Sequence, residues 1–230
     1  MTPFAAIRSI EPAGMNGLIL YFSGASLTEA NQHCQAWDHA IREAGFGWLK
    51  DTLPAYDSLL LVFDALAIDN HGVYRSLRTL NVSDHQQNTP RRHHRLPVWY
   101  GAPEANDLAD ISRQTGLAGA NIISTHCGTE YRVYAVGFAP GFAYLGEVPD
   151  AIVCPRLTTP RDRVPAGAVA IADKQTAVYP QSSPGGWNLL GLCPLSMFDG
   201  TQTYSARLSV GDTVSFYPVS EHEYREMKDD

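Results

Sequence analysis

From Tyr131 onward glycine and proline break the chain into short runs, and this punctuation constrains the fold more than any other feature. The strand-like runs are 131–138, 168–172, 176–179, 187–192 and 213–217, with 96–100 a further candidate upstream. Short strands with dense turn residues between them favour a closed or nearly closed β-barrel over a parallel α/β sheet. Residues 107–115 and 117–126 read as two short helices ahead of the barrel. Together they place a barrel domain over residues 96–230.

The first 85 residues have a different texture. Runs 4–10 and 17–22 are apolar and separated by Pro12-Ala13-Gly14, which predicts two strands and a turn. Ser26 with Glu29 three residues later is a capping box, and Ala30, Cys34, Trp37 and Ile41 then follow at helical spacing. Runs 47–53 and 58–63 predict a second strand pair joined through Pro54-Ala55-Tyr56-Asp57. Asp69 starts another helix, with Val73, Leu77 and Leu80 on one stripe. Strand, strand, helix, strand, strand, helix predicts a small α+β sandwich over residues 1–85 with its helices on one face. The polar stretch 81–95 ends in Arg91-Arg92-His93-His94-Arg95; it predicts a solvated hinge, with residues 86–95 as the linker.

Composition narrows the function classes. Seventeen Lys+Arg against 24 Asp+Glu leave a net charge of −7, which argues against nucleic acid or an anionic membrane as a partner. The apolar runs 59–63 and 166–172 are far below the roughly 20 residues of a membrane span. Arg8 and Glu11 interrupt the start where a signal peptide needs an apolar core, so a soluble, cytoplasmic chain is expected. Cys34, Cys127, Cys154 and Cys193 are scattered, without a C-x-x-C pair, which predicts reduced thiols and no metal site. Walker, G-x-G-x-x-G, G-x-S-x-G and H-E-x-x-H motifs are absent from the sequence.

The candidate site lies in residues 137–191. Gly137, Gly141 and Gly146 with Pro140 describe a sharply turning backbone, along which Phe138, Phe142 and Tyr144 alternate onto one face if the segment is extended. These rings either close the barrel or wall a pocket. A proline-stiffened loop, 155–167, carries Arg156, Arg161 and Arg163. Guanidinium forks on a fixed loop suit a carboxylate or phosphate. Arg156 and Arg161 are the candidates, whereas Arg163 reads as paired with a local carboxylate. Lys174 and Gln175 end a strand and could orient a substrate carboxylate or steady an oxyanion, although a surface lysine is the commoner outcome there. Trp187, after Pro184-Gly185-Gly186, walls a pocket or plugs the barrel end. His126 reads equally as a buried, hydrogen-bonded residue or a site residue.

These residues, in this order, resemble the family of the 5-oxoprolinase B subunit, which includes Kip-type inhibitors of a sporulation histidine kinase and allophanate hydrolase subunit 1. The matching elements are Gly137-Phe138, Pro140-Gly141-Phe142, Tyr144-Leu145-Gly146, Pro155-Arg156-Leu157, Thr159-Pro160-Arg161, Val164-Pro165-Ala166-Gly167, Gln175-Thr176, Tyr179-Pro180 and Pro184-Gly185-Gly186-Trp187. Ala143 stands where the family often has proline, and Leu192-Cys193 where a polar or basic residue is expected. The resemblance implies a ferredoxin-like or similar α+β domain followed by a cyclophilin-like β-barrel. It further implies work beside a related C subunit, together with an A subunit, opening 5-oxoproline to glutamate at the expense of ATP.

A five-membered lactam is a poor electrophile. Phosphorylating its amide oxygen activates it, and that transfer needs positioning and positive charge. Arg156, Arg161, Lys174 and Gln175 are therefore expected to act on phosphate or carboxylate groups, and His126, Phe142, Tyr144, Tyr179 and Trp187 to surround the substrate. ATP is expected as co-substrate, with or without Mg2+, at a site open to sharing with the partner. Two other readings stay open: a protein that inhibits a histidine kinase by docking through the barrel, and a carboxyltransferase-like component of a biotin-dependent urea or amide carboxylase. Lys174, between Asp173 and Gln175, lacks a biotinyl-lysine context, so the carrier would be another chain.

Overall fold

The computed structural model of the chain describes residue 4 and residues 6–82, 92–201 and 205–229. They fall into two units, one up to residue 91 and one from residue 92.

In the first unit, β1 (Ile7–Pro12) and β2 (Gly17–Phe22) precede α1 (Leu27–Glu43), and β3 (Leu49–Ala55) and β4 (Ser58–Phe63) precede α2 (Asn70–Leu77). The strands pair antiparallel in the order β1-β2-β4-β3. Leu18, Leu20 and Phe22 alternate onto the same face as Leu59, Leu61 and Phe63, and the apolar stripes of both helices cover that face with Cys34, Trp37, Ile41, Val73 and Leu77. Both helix starts are the capped ones that the sequence predicts: Ser26 Oγ accepts from Glu29 N at 3.2 Å, and Asp69 Oδ1 accepts from Gly72 N at 2.7 Å. The chain order ββαββα differs from the βαββαβ order of a ferredoxin-like domain, so the α+β sandwich is found without that topology. Pro54 and Ala55 belong to β3 rather than to the predicted turn, because the reversal needs only Tyr56, at φ 52°, and Asp57.

In the second unit, β5 (His93–Tyr100), α3 (Leu108–Thr115), α4 (Gly119–Cys127), β6 (Glu130–Val136) and β7 (Ala143–Gly146) come first. A short 3₁₀ turn, Asp150–Ile152, follows β7. Next are β8 (Arg161–Val164), β9 (Ala168–Ala172), β10 (Gln175–Val178), β11 (Ser183–Gly185) and β12 (Asn188–Leu192). Last are β13 (Phe198–Asp199), β14 (Ser205–Ala206), β15 (Thr213–Pro218) and α5 (Glu221–Asp229). Seven strands run in the order β6-β15-β5-β12-β9-β10-β7, and a β6–β7 pairing closes them into a barrel. Pairs β8–β11 and β13–β14 stand apart as two-stranded ribbons.

Strand β9 shows why this barrel has two apolar layers. Val169 and Ile171 face one cluster with Leu96, Tyr131, Val133, Leu190 and Phe216. Ala168, Ala170 and Ala172 face the other, with Phe142, Tyr179, Trp187 and Leu189. All five residues of β9 are buried, and the alanines let aromatic rings settle close on the sheet. At β12, a Cβ on Gly191 would lie 2.3 Å from the Trp99 carbonyl oxygen, so only glycine permits the β12–β5 approach.

The predicted linker 86–95 is corrected at its C-terminal end: His93, His94 and Arg95 are strand residues of β5, paired in parallel with β15, and residues 86–91 lie outside the described residues. The two histidines point to opposite sides, as neighbours on a strand must. His94 Nε2 lies 3.0 Å from Asp212 Oδ2, and His93 bonds Thr213 and Ser215. Among the described residues no helix is long and apolar enough to cross a membrane.

Candidate functional site

The Gly137–Gly146 segment turns back on itself and returns as β7. Gly141, at φ +81°, is where a Cβ would collide with the Met197 carbonyl oxygen at 2.7 Å. Phe142 and Tyr144 emerge on one face, as the alternation predicts, with their rings edge to face at 4.9 Å. Phe138, itself at φ 78°, stays 68% exposed at the mouth and meets Phe142 edge-on.

Opposite these rings stands the β8–β11 ribbon. It presents Pro184 and Gly185, and the flanking Pro160, Gly186 and Trp187 complete this side of the lining. The cleft has a volume of about 260 Å³. Tyr179 forms its floor: its ring is perpendicular to that of Phe142 at 5.4 Å, and a Cβ on Gly185 would lie 2.5 Å from its hydroxyl. Glycine at 185 is therefore what lets the ribbon close over the ring. Burial raises the Tyr179 pKa, against the pull of Arg156 and Arg161, so at neutral pH it is a phenol that can donate a hydrogen bond.

Arg156 brings charge to the cleft. Its guanidinium lies over the Trp187 ring, 5.6 Å from the centroid, with the Asp173 carboxylate 4.0 Å from Nε. It is 58% exposed, so one flank stacks while its N–H groups remain within reach of a ligand. Among the described residues the lining contains no carboxylate, imidazole or thiol. Such a cleft can recognise a small ring bearing one negative group; it offers no general base of its own.

The other predicted residues are placed elsewhere. Arg161 reaches Asp107 instead of the cleft: its Nη2 lies 2.6 and 2.7 Å from the two carboxylate oxygens, and Nη1 donates to the Trp187 carbonyl at 3.1 Å. Its fork is taken up by a carboxylate and a backbone carbonyl of this chain, which corrects the anion-site expectation. Lys174 pairs with Asp150 at 2.9 Å, and this hydrogen bond raises its pKa; it lies outside the lining. Gln175 opens β10 opposite Gly146 and Ala172, likewise outside the lining. Arg163 bonds Ser182 Oγ at 3.1 Å rather than a carboxylate.

His126 is corrected outright. It is fully buried, with its ring stacked on Phe216 at 4.6 Å, where no substrate reaches it. Burial pushes its pKa down to about 3. Thr176 Oγ1 donates to the Ala170 carbonyl at 3.0 Å and thus accepts from His126 Nε2 at 3.0 Å. Nδ1 then accepts from the Tyr100 hydroxyl at 2.7 Å, and that hydroxyl accepts from Cys127 Sγ at 3.3 Å. A neutral imidazole completes this buried relay.

Sequence reading missed Asp107 and the Pro160–Pro184 walls. Asp107 showed only as the start of a helix, and nothing local couples it to an arginine 54 residues away.

The second unit is thus a seven-stranded closed barrel that carries an aromatic, arginine-edged cleft. The chain belongs to the carboxyltransferase domain family, subdomain C and D, whose model matches residues 8–208. It is 32% identical over 234 residues to the 5-oxoprolinase B subunit of Bacillus subtilis strain 168, covering 96% of this chain and 97% of that one. It is also 44% identical over 137 residues to the protein of that name from Haemophilus influenzae, covering 60% of this chain and 62% of that one. The crystal structure of TTHA0988 superposes with a TM-score of 0.78 at 36% identity, over 89% of this chain and 40% of the TTHA0988 chain. The present chain thus spans well under half of that longer protein.

Proposed function

We propose that the chain is the B subunit of an ATP-dependent 5-oxoprolinase, a cytoplasmic assembly that opens 5-oxo-L-proline to L-glutamate with a C subunit, in direct contact, and an A subunit. The observation that carries this is the Arg156–Trp187 stack at the edge of an aromatic cleft, in a chain whose curated relatives bear that name. 5-Oxoproline is a flat five-membered lactam with one carboxylate. The Arg156 fork matches the carboxylate, Trp187, Phe142 and Tyr144 flank the ring, and the Tyr179 hydroxyl is a donor toward a carbonyl. Holding the lactam in one orientation is the contribution this chain can make, since proximity and orientation are themselves catalytic.

The cleft does not fit the triphosphate of ATP. Arg156 is the one cation among its described lining residues, with Arg161 committed to Asp107 and Lys174 on Asp150 outside the lining. A tetra-anion needs more than that, so the nucleotide site falls to the partner proteins in this reading. The chain alone is then inactive.

A coupled assay tests the reading. The chain alone, and the chain with co-expressed C and A subunits, are given ATP and 5-oxoproline. ADP and glutamate released together, and only by the mixture, is the expected result; no oxoproline-dependent ADP from an assembled mixture refutes it. The family description favours one other reading, a carboxyltransferase-like component of a biotin-dependent amide carboxylase. That reading requires biotin-dependent carboxylation of an amide by the same assembly.

A further inference from the structure

We infer that Asp107 is a positioning residue for the cleft, setting the Trp187–Arg156 stack through Arg161. The inference rests on the reading of this cleft as the lactam site.

Asp107 immediately precedes α3, where an aspartate ordinarily caps the helix with its side chain. Here the side chain makes no capping bond; the backbone carbonyl of Asp107 receives Asp110 N and Ile111 N instead. The carboxylate turns to the segment that walls the cleft. Both of its oxygens take Arg161 Nη2, and Oδ2 also accepts from Leu189 N at 2.6 Å. The Asp107 N–H returns a bond to the Leu189 carbonyl at 2.7 Å. Arg161 then donates to the Trp187 carbonyl, so residues 187–189 are gripped on both sides of Asn188.

The same segment holds the loop that carries Arg156. Asn188 Nδ2 donates to the Pro155 carbonyl at 2.9 Å, and Leu157 N donates to the Gly186 carbonyl at 2.7 Å. The residues on either side of Arg156 are thereby fastened to the residues on either side of Trp187. A shift of the 187–189 backbone must move ring and guanidinium together. Asp107 is 12% exposed and Arg161 29%, so the pair is largely shielded, unlike a surface ion pair. A charged clamp that forgoes its helix cap to grip the cleft wall is the arrangement expected of a part that sets geometry.

The test is made in the assembled mixture with Asp107→Asn, which keeps size and removes charge. The expected result is a KM for 5-oxoproline raised on the order of tenfold to a hundredfold, with kcat and the KM for ATP within about twofold. Asp107→Glu should recover part of the loss. An unchanged KM for 5-oxoproline, or a fall in kcat and a rise in both KM values together, overturns the inference. Arg161→Lys, which keeps charge but loses the fork, serves if Asp107→Asn does not fold.

A second readout needs no turnover. In the chain labelled with 5-fluorotryptophan, the Trp187 fluorine resonance is assigned by Trp187→Phe. Asp107→Asn should shift and broaden it while Trp37 and Trp48 stay in place; an unmoved Trp187 resonance overturns the clamp. If the wild-type mixture does not hydrolyse 5-oxoproline, the substrate reading fails and the fluorine spectrum still decides the clamp.

Discussion

His126 offers a quantitative check on the barrel core. Its imidazole is fully buried and burial pushes its pKa from 6.5 down to about 3. A depressed histidine pKa stabilises the fold above the unfolded pKa, and that stability is lost as pH falls from about 6.5 towards 3, because the unfolded chain takes up a proton that the native one refuses. At about 1.4 kcal/mol per pH unit, going from pH 7 to pH 5 should cost about 2 kcal/mol from this residue alone. The measurement is urea unfolding of the full chain at both pH values, wild type against His126→Gln. Carboxylates and other histidines contribute equally to both proteins and cancel in the difference. The variant should be less stable at pH 7, since it disturbs the Tyr100 and Thr176 bonds, but its loss between pH 7 and pH 5 should be smaller by about 2 kcal/mol. Equal losses in the two proteins would refute a neutral, buried His126 and return it to the set of residues open to solvent or ligand.

Three further substitutions probe the cleft and its frame. Arg156→Ala removes a charge-assisted bond worth about 1.5–3 kcal/mol, so the KM for 5-oxoproline in the assembled mixture should rise roughly tenfold to a hundredfold. Its urea midpoint should barely move, since its partner Asp173 is also exposed and lies 4.0 Å away. Gly185→Ala places a Cβ 2.5 Å from the Tyr179 hydroxyl; with that ring held edge-on by Phe142, the ribbon must lift. We expect a stability loss of about 1–3 kcal/mol in urea and a raised KM together. Gly191→Ala meets backbone rather than a side chain, at 2.3 Å from the Trp99 oxygen, and should part β12 from β5. It should cost about 3 kcal/mol or more in urea unfolding, or leave the chain insoluble.

Local signals account for what could be read ahead of the structure. Strands β2, β4 and β9 begin and end where apolar runs meet turn residues, and α1 starts at the Ser26 cap, because these are interactions within a few residues. The aromatic face of Phe142 and Tyr144 follows from the two-residue period of a strand, which any extended segment must obey. Strand β7 was legible only as a glycine-rich turn: four residues carry too little pattern, and their strand character comes from pairing with β6 and β10. Residues 93–95 of β5 look like solvated hinge because their polarity is answered by β15, some 120 residues away, where Thr213, Ser215 and Asp212 receive the histidines. Separation in sequence also divided the arginines. Two guanidiniums on one stiff loop are equivalent until the tertiary fold gives Asp107 to Arg161 and Trp187 to Arg156. Residue type decided that this loop could bind an anion; which arginine faces the cleft and which holds its wall was decided by the side chains that barrel closure brings beside each, and no sequence spacing encodes those.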